Sequence, residues 1–182
     1  TTMMSASPIT NMTEDVAFAE ILAQARQVLS IESEALTAVS HQLTADFVKA
    51  IDLLQHCQGR VVITGMGKSG HIGQKMAATF SSTGTPALFL HPAEGSHGDL
   101  GTLTRQDVVI AISYSGESEE VLALLPVLQH KKVPLISITG NPASTLSKCA
   151  TVHLNVQVSK EACPLNLAPT ASTTATLALG DA

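Results

Sequence analysis

Arg60-Val61-Val62-Ile63-Thr64-Gly65-Met66-Gly67-Lys68-Ser69-Gly70 decides how the rest of this chain is read. A short β-branched apolar run passes straight into a glycine-rich turn, and a helical stretch starts near Ser69. Near-continuous apolarity over so few residues argues for a strand buried on both faces, as in a parallel sheet.

The same rhythm recurs downstream. Further apolar runs lie at Ala87–His91, Asp107–Ser113, Leu135–Thr139 and Val152–Val156, with helices expected from near Glu117 and Ala143. Alternating strand and helix predicts an α/β fold with a doubly wound sheet, whose ligands sit beyond the carboxyl ends of the strands.

Upstream the composition changes. All 12 glycines lie at or after Gly59, and Pro8 is the one proline of the first 58 residues. Thr13 is expected to cap a helix opened by Glu14 and Asp15. Phe18, Ile21, Leu22, Ala25, Val28, Leu29, Leu36, Val39 and Leu43 then follow helical spacing. This stripe is long for one globular helix, so part of it is expected to meet another subunit. Thr44 is expected to start a second helix with Phe47, Val48, Ile51 and Leu54 on one side. The domain reading is a disordered or cloning-derived start over 1–12 and one domain over 13–182. Its parts are N-terminal helices (13–58) and an α/β part (59–182).

Composition excludes several classes. Hydrophobic residues make up 45% and charged residues 14%, which rules out a disordered tail. Net charge is −5 and the longest basic run is Lys131-Lys132, which argues against nucleic-acid binding. Cys57, Cys149 and Cys163 form no disulfide framework, so a reducing cytoplasm fits. No apolar run reaches the roughly 20 residues of a membrane span, and Thr1-Thr2-Met3-Met4 is expected to be a disordered or cloning-derived start rather than a signal peptide.

Three segments carry candidate chemistry. Gly65–Gly70 matches G-x-G-x-x-G, the dinucleotide fingerprint. That reading wants an acid at the end of the second strand, whereas the nearest one here is Glu94, already in the loop. Lys68 also sits inside the turn. What survives is an anion site: Gly67 and its neighbours bring backbone N–H groups to a helix N-terminus, with Lys68 to pair a phosphate or polarise a sugar oxygen. The competing reading is tight packing with Lys68 solvated. Ser113-Tyr114-Ser115-Gly116-Glu117-Ser118 places hydroxyls, a glycine and a helix start together, a phosphate cradle that needs no arginine. Its plain alternative is N-capping by Ser115 or Ser118. Glu117, Glu119 and Glu120 are expected in the first helical turn, and spacing does not choose among them.

The third segment is Lys160-Glu161-Ala162-Cys163-Pro164, leading to Ala168-Pro169-Thr170-Ala171-Ser172. Pro169 is expected at a first helical position. Glu161, in a loop at a cleft edge, suits a general base, with a surface acid as the alternative. His97 with Asp99 could handle protons or meet a metal; His91 and His97, six apart in one loop, are a weak metal signal, and no metal is expected. The remaining histidines read as surface or helix-end residues.

Longer strings make these segments specific. Gly65-Met-Gly-Lys-Ser-Gly-His-Ile-Gly73, Met76-Ala-Ala-Thr-Phe80, His97-Gly-Asp-Leu-Gly101, Lys160-Glu-Ala-Cys-Pro-Leu165 and Leu167-Ala-Pro-Thr170 are similar to the sugar isomerase (SIS) domain of bacterial arabinose-5-phosphate isomerases. The resemblance covers nearly everything from residue 59. It implies a flavodoxin-like αβα sandwich with a five-stranded parallel sheet, and interconversion of D-ribulose 5-phosphate and D-arabinose 5-phosphate for Kdo and lipopolysaccharide synthesis. A cytoplasmic tetramer without organic cofactor is implied as well. Family members continue past this point with a further helix, a histidine-bearing segment and two CBS domains.

By motif, the family's active-site positions fall on Lys68, His97, Glu120 and Glu161. Its phosphate site falls on Ser113, Ser115, Gly116 and Ser118, with Gly67, Ser69, Thr170 and Ser172 beside it. Tyr114 stands where close relatives often have Asn. The expected chemistry is proton transfer by Glu161 with Glu120 at the oxygens, Lys68 stabilising an enediolate and His97 assisting ring opening. Two rivals are a non-catalytic sugar-phosphate-sensing module and a nicotinamide-dependent dehydrogenase.

Overall fold

A computed structural model describes residues 10–95 and 98–182, with side chains from residue 15 onward. His97 and the first nine residues lie outside the described residues. Five strands form one sheet: β1 Val61–Gly65, β2 Ala87–Phe89, β3 Val108–Ile112, β4 Leu135–Thr139 and β5 Val152–Asn155. All pair in parallel in the order β2-β1-β3-β4-β5. The three central strands are buried at every residue, which is why their sequences read as unbroken apolar runs.

Helices cover both faces: α1 Thr10–Gln42, α2 Ala45–Gln55, α3 Gly67–Ser82, α4 Pro92–Gly95, α5 Glu119–Leu122, α6 Leu125–Lys131, α7 Thr145–Cys149 and α8 Ala171–Asp181. Alternate strand residues feed two cores. Val61, Ile63, Ile110 and Ile136 pack with Ala50, Met76, Ala175 and Leu179 of α2, α3 and α8. Val62, Val109, Ala111 and Leu135 pack with Val121, Leu125, Leu128 and Leu146 of α5, α6 and α7. A period of two along each strand thus supplies both layers.

Thr44 caps α2 as expected, its hydroxyl accepting from Asp46 N at 3.3 Å. On α2 the face departs from expectation: Ala50 is buried against the sheet, whereas Val48 is 68% exposed. α1 begins at Thr10, so Thr13 stands inside the helix and does not cap it. Ala35 and Val39 are buried, but Ile21 and Leu29 are 66% and 67% exposed, so much of the apolar stripe is left uncovered in the single chain. No helix among the described residues is long and apolar enough to cross a membrane.

The chain leaves β1 toward β2 on one side, and β3 lies on the other. The order of connections therefore reverses between β1 and β3, where a crevice opens at the carboxyl ends. The Gly65–Gly70 turn follows β1 and the Ser113–Ser118 loop follows β3, so both border that crevice.

Candidate active site

The glycine turn ends β1 and opens α3. Gly67 has φ +54°, a conformation glycine adopts without a Cβ penalty. A Cβ on Gly70 would lie 2.7 Å from Gly65 O, so the third glycine lets α3 close tightly onto β1. This seats Lys68 in the first turn of α3, exposed, with Ser69 half-buried beside it. Lys68, Ser69 and Met66 line one pocket with Tyr114 and with Pro169, Ser172, Thr173 and Thr176 around the start of α8. Its volume is about 190 Å³. Small-molecule sites usually run to roughly 300–1,000 Å³, so this one has the scale of a compact sugar phosphate rather than a dinucleotide.

The Ser113–Ser118 loop is held by its own hydroxyls. Ser113 Oγ accepts from Gly116 N at 3.1 Å, and Ser115 Oγ accepts from Glu117 N at 3.1 Å. A hydroxyl that accepts in this way keeps its proton for another acceptor, such as a phosphate oxygen. Gly116 has φ +69°, and a Cβ there would lie 2.0 Å from Ser144 Oγ. Ser118 precedes α5 without a capping hydrogen bond and instead donates to Glu120 Oε2 at 3.1 Å. Glu117 is not in the first turn of α5. Its Oε1 accepts from Thr145 N at 2.7 Å, and that bond at the start of α7 holds its pKa below the ordinary value.

Glu161 caps α8. Its Oε2 accepts from Thr170 N at 2.7 Å, Thr170 Oγ1 at 3.0 Å and Ser172 N at 3.2 Å. Burial pushes its pKa up, but the hydrogen bonds from Ser172 and Thr170 outweigh that and leave the carboxyl below its ordinary value. Thr170 Oγ1 also accepts from Ala162 N at 2.8 Å, closing the loop on itself. Pro169 is not the first helical residue: α8 starts at Ala171, with Thr170 in the cap position at φ −137°.

The predicted residues are thus brought together in part. Lys68, Ser69 and Ser172 share the 190 Å³ pocket. Glu161 lies one hydrogen bond behind its lining, since Ser172 both lines that pocket and donates to Glu161. Glu161 itself lines a separate cavity of about 560 Å³ between α1 and the Lys160–Asn166 loop. Glu120 is exposed and does not line the Lys68 pocket. Thr173 and Thr176 line that pocket too, and Thr176 lies four positions after Ser172 and three after Thr173, the spacings of a shared helical face.

A profile of the SIS domain family matches residues 54–182. The chain belongs to the SIS domain family. Its relatives include the arabinose 5-phosphate isomerase KdsD of Escherichia coli strain K12, 60% identical over 157 residues, 86% of this chain and 48% of that protein. KdsD of Pseudomonas aeruginosa is 52% identical over 172 residues, 94% of this chain and 52% of that protein. This SIS chain spans about half the length of the curated relatives it matches. Among solved structures, c3406 of E. coli CFT073 in complex with arabinose 5-phosphate superposes with a TM-score of 0.85 at 42% identity, over 90% of this chain and 87% of that chain. The five-stranded parallel sheet and flanking helices of this SIS domain match those neighbours.

Proposed function

We propose that this chain is the SIS portion of an aldose–ketose isomerase that interconverts D-ribulose 5-phosphate and D-arabinose 5-phosphate, supplying Kdo for lipopolysaccharide. One observation carries this reading: a sugar-sized pocket bordered by Lys68, Ser69 and Ser172 at the β1/β3 switch point, with Tyr114 of the serine loop in its wall. The KdsD relatives and the arabinose 5-phosphate complex of c3406 support it.

The chemistry moves one proton between neighbouring carbons. In this reading Glu161 takes the C2 proton of the open-chain aldose, leaving an enediolate. Lys68 stabilises the charge on its oxygen. Glu120 helps transfer a proton between the two oxygens, and delivery of a proton to C1 completes the ketose. His97 assists ring opening. The hydrogen bonds from Thr170 and Ser172 support Glu161 in the ionised, accepting form at neutral pH. Ser113, Ser115, Gly116 and Ser118 hold the phosphate. Further copies cover the exposed apolar face of α1 in a cytoplasmic tetramer, and no organic cofactor is used.

Incubation with ribulose 5-phosphate in deuterated water tests this. Formation of arabinose 5-phosphate with deuterium at the reacting carbon is the expected result. Pentose-phosphate binding without turnover would point instead to a sensing module. If Glu161→Gln keeps near-normal solvent exchange at that carbon, Glu161 is not the base.

A further inference from the structure

The Ser113–Ser118 loop is anchored at two places. Tyr114 holds its first half: its carbonyl accepts from Gly140 N at 2.8 Å, and its phenolic oxygen accepts from Val158 N at 3.2 Å. The second half rests on the start of α7. Gly116 O accepts from Leu146 N at 3.1 Å, and Glu117 Oε1 accepts from Thr145 N at 2.7 Å. That support is itself fixed. Ser144, the N-cap of α7, is fully buried. Its Oγ lies 2.7 Å from Ser147 Oγ, which donates to Asn141 O at 2.8 Å, just beyond the end of β4.

We propose that Glu117 is a positioning residue, its carboxylate clamping the Ser113–Ser118 loop to the first turn of α7 so that the loop's N–H and hydroxyl groups stand ready for a sugar phosphate. The inference rests on the isomerase reading, which puts the phosphate in this loop, and adds the residue that holds the loop in shape. A glutamate in a loop that binds phosphate is a like charge, and Thr145 gives that charge a donor of its own outside the loop. The bond is short and charge-assisted, the strong class of hydrogen bond. Gly116, the loop's most permissive residue, comes just before it, and bonds from two successive residues supply the restraint that glycine lacks.

A double-mutant cycle tests the clamp. Glu117→Ala removes the acceptor. Thr145→Pro removes the donor at the first helical position, where proline is tolerated, and Ser144 before it is already extended at φ −68° and ψ 160°. Affinity for inorganic phosphate is read by titration calorimetry, and KM and kcat by turnover of D-arabinose 5-phosphate. Each variant is expected to weaken phosphate binding and raise KM by about tenfold, with kcat within about threefold of the wild type. The double variant is expected to match the single ones, because one bond is lost once. Glu117→Gln keeps an acceptor for the Thr145 N–H and is expected to bring both values within about threefold of the wild type. Folded variants with unchanged phosphate affinity, effects that multiply in the double variant, a loss confined to kcat, or a Gln variant as weak as Ala each overturn the clamp and leave the isomerase reading standing. A wild type that binds phosphate without turnover overturns the isomerase reading, and phosphate affinity still decides the clamp. One that binds no phosphate overturns both.

Discussion

Thr170 donates twice to one oxygen of Glu161, through its backbone N–H at 2.7 Å and its hydroxyl at 3.0 Å. Two residues nine apart in the one connection between β5 and α8 are joined by this pair at the N-terminus of α8, where a negative charge is also favoured by the helix dipole. Removing the hydroxyl therefore acts on the carboxyl directly. Thr170→Val is expected to raise the Glu161 pKa toward its ordinary value, because a hydrogen bond to the charged form is lost while burial stays. Carboxyl carbon chemical shifts followed against pH measure this, and an unmoved or lowered titration contradicts it.

The same cap has a stability consequence. Glu161→Gln is expected to cost about 1 kcal/mol at pH 7, the size of a lost capping interaction. The sign with pH follows from the lowered folded-state pKa. The wild type's advantage is full above the unfolded value of about 4.5 and disappears as pH falls through the folded value. Urea denaturation at pH 7 and below pH 4 checks both points. An advantage that grows on acidification refutes the linkage.

Gly116 is required by conformation and by space. With φ +69° and Ser144 Oγ 2.0 Å from where a methyl group would stand, Gly116→Ala is expected to cost roughly 1–3 kcal/mol. Because Ser113 Oγ accepts from the Gly116 N–H, the variant is also expected to bind inorganic phosphate more weakly. Denaturation midpoints and phosphate titration measure the two effects. Unchanged values in both rule the argument out.

His153 gives a second pH window. Burial holds its pKa below the ordinary 6.5, against the opposing pull of Asp46, while Nδ1 is bonded to Ser137 Oγ at 2.9 Å. The unfolded chain therefore takes up a proton first on acidification, and stability falls as pH drops from about 6.5 toward the folded value. His153→Gln is expected to flatten this part of the profile. A slope between pH 7.5 and 5.5 that persists unchanged in the variant excludes His153 as its source.

Ile21 and Leu29 stand out on α1 at 66% and 67% exposure. Apolar side chains of this size in one stripe are expected to be covered by further copies of the chain. Ile21→Glu with Leu29→Glu is expected to lower the assembly state in sedimentation velocity without loss of helical signal. A wild type that is already monomeric, or a variant that stays assembled, removes this face from the interface.

Much of the fold is legible in single segments. Val61–Gly65, Val108–Ile112 and Leu135–Thr139 announce themselves as doubly buried strands by lacking polar alternation. The glycine turn and the serine loop mark the two strand ends that face the crevice. Helix boundaries were less legible. Thr13 has the chemistry of a cap yet lies within α1, and Pro169 suits a first turn yet precedes the cap of α8. Local propensity proposes such ends, and neighbouring contacts decide them.

By itself, then, the amino-acid order determined the parallel α/β architecture and the loops that carry the chemistry, because strand burial and turn chemistry are written in residues close along the chain. Only the tertiary structure decided what each acid does. Glu120 meets its near neighbour Ser118, but Glu117 turns to α7 and Glu161 to the start of α8, choices that similar carboxylates do not encode locally. The structure likewise carried Tyr114 across Gly140 to Val158, 44 positions away in sequence. Hydrogen-bond partners depend on distances through space, and those exist once the sheet has ordered its strands.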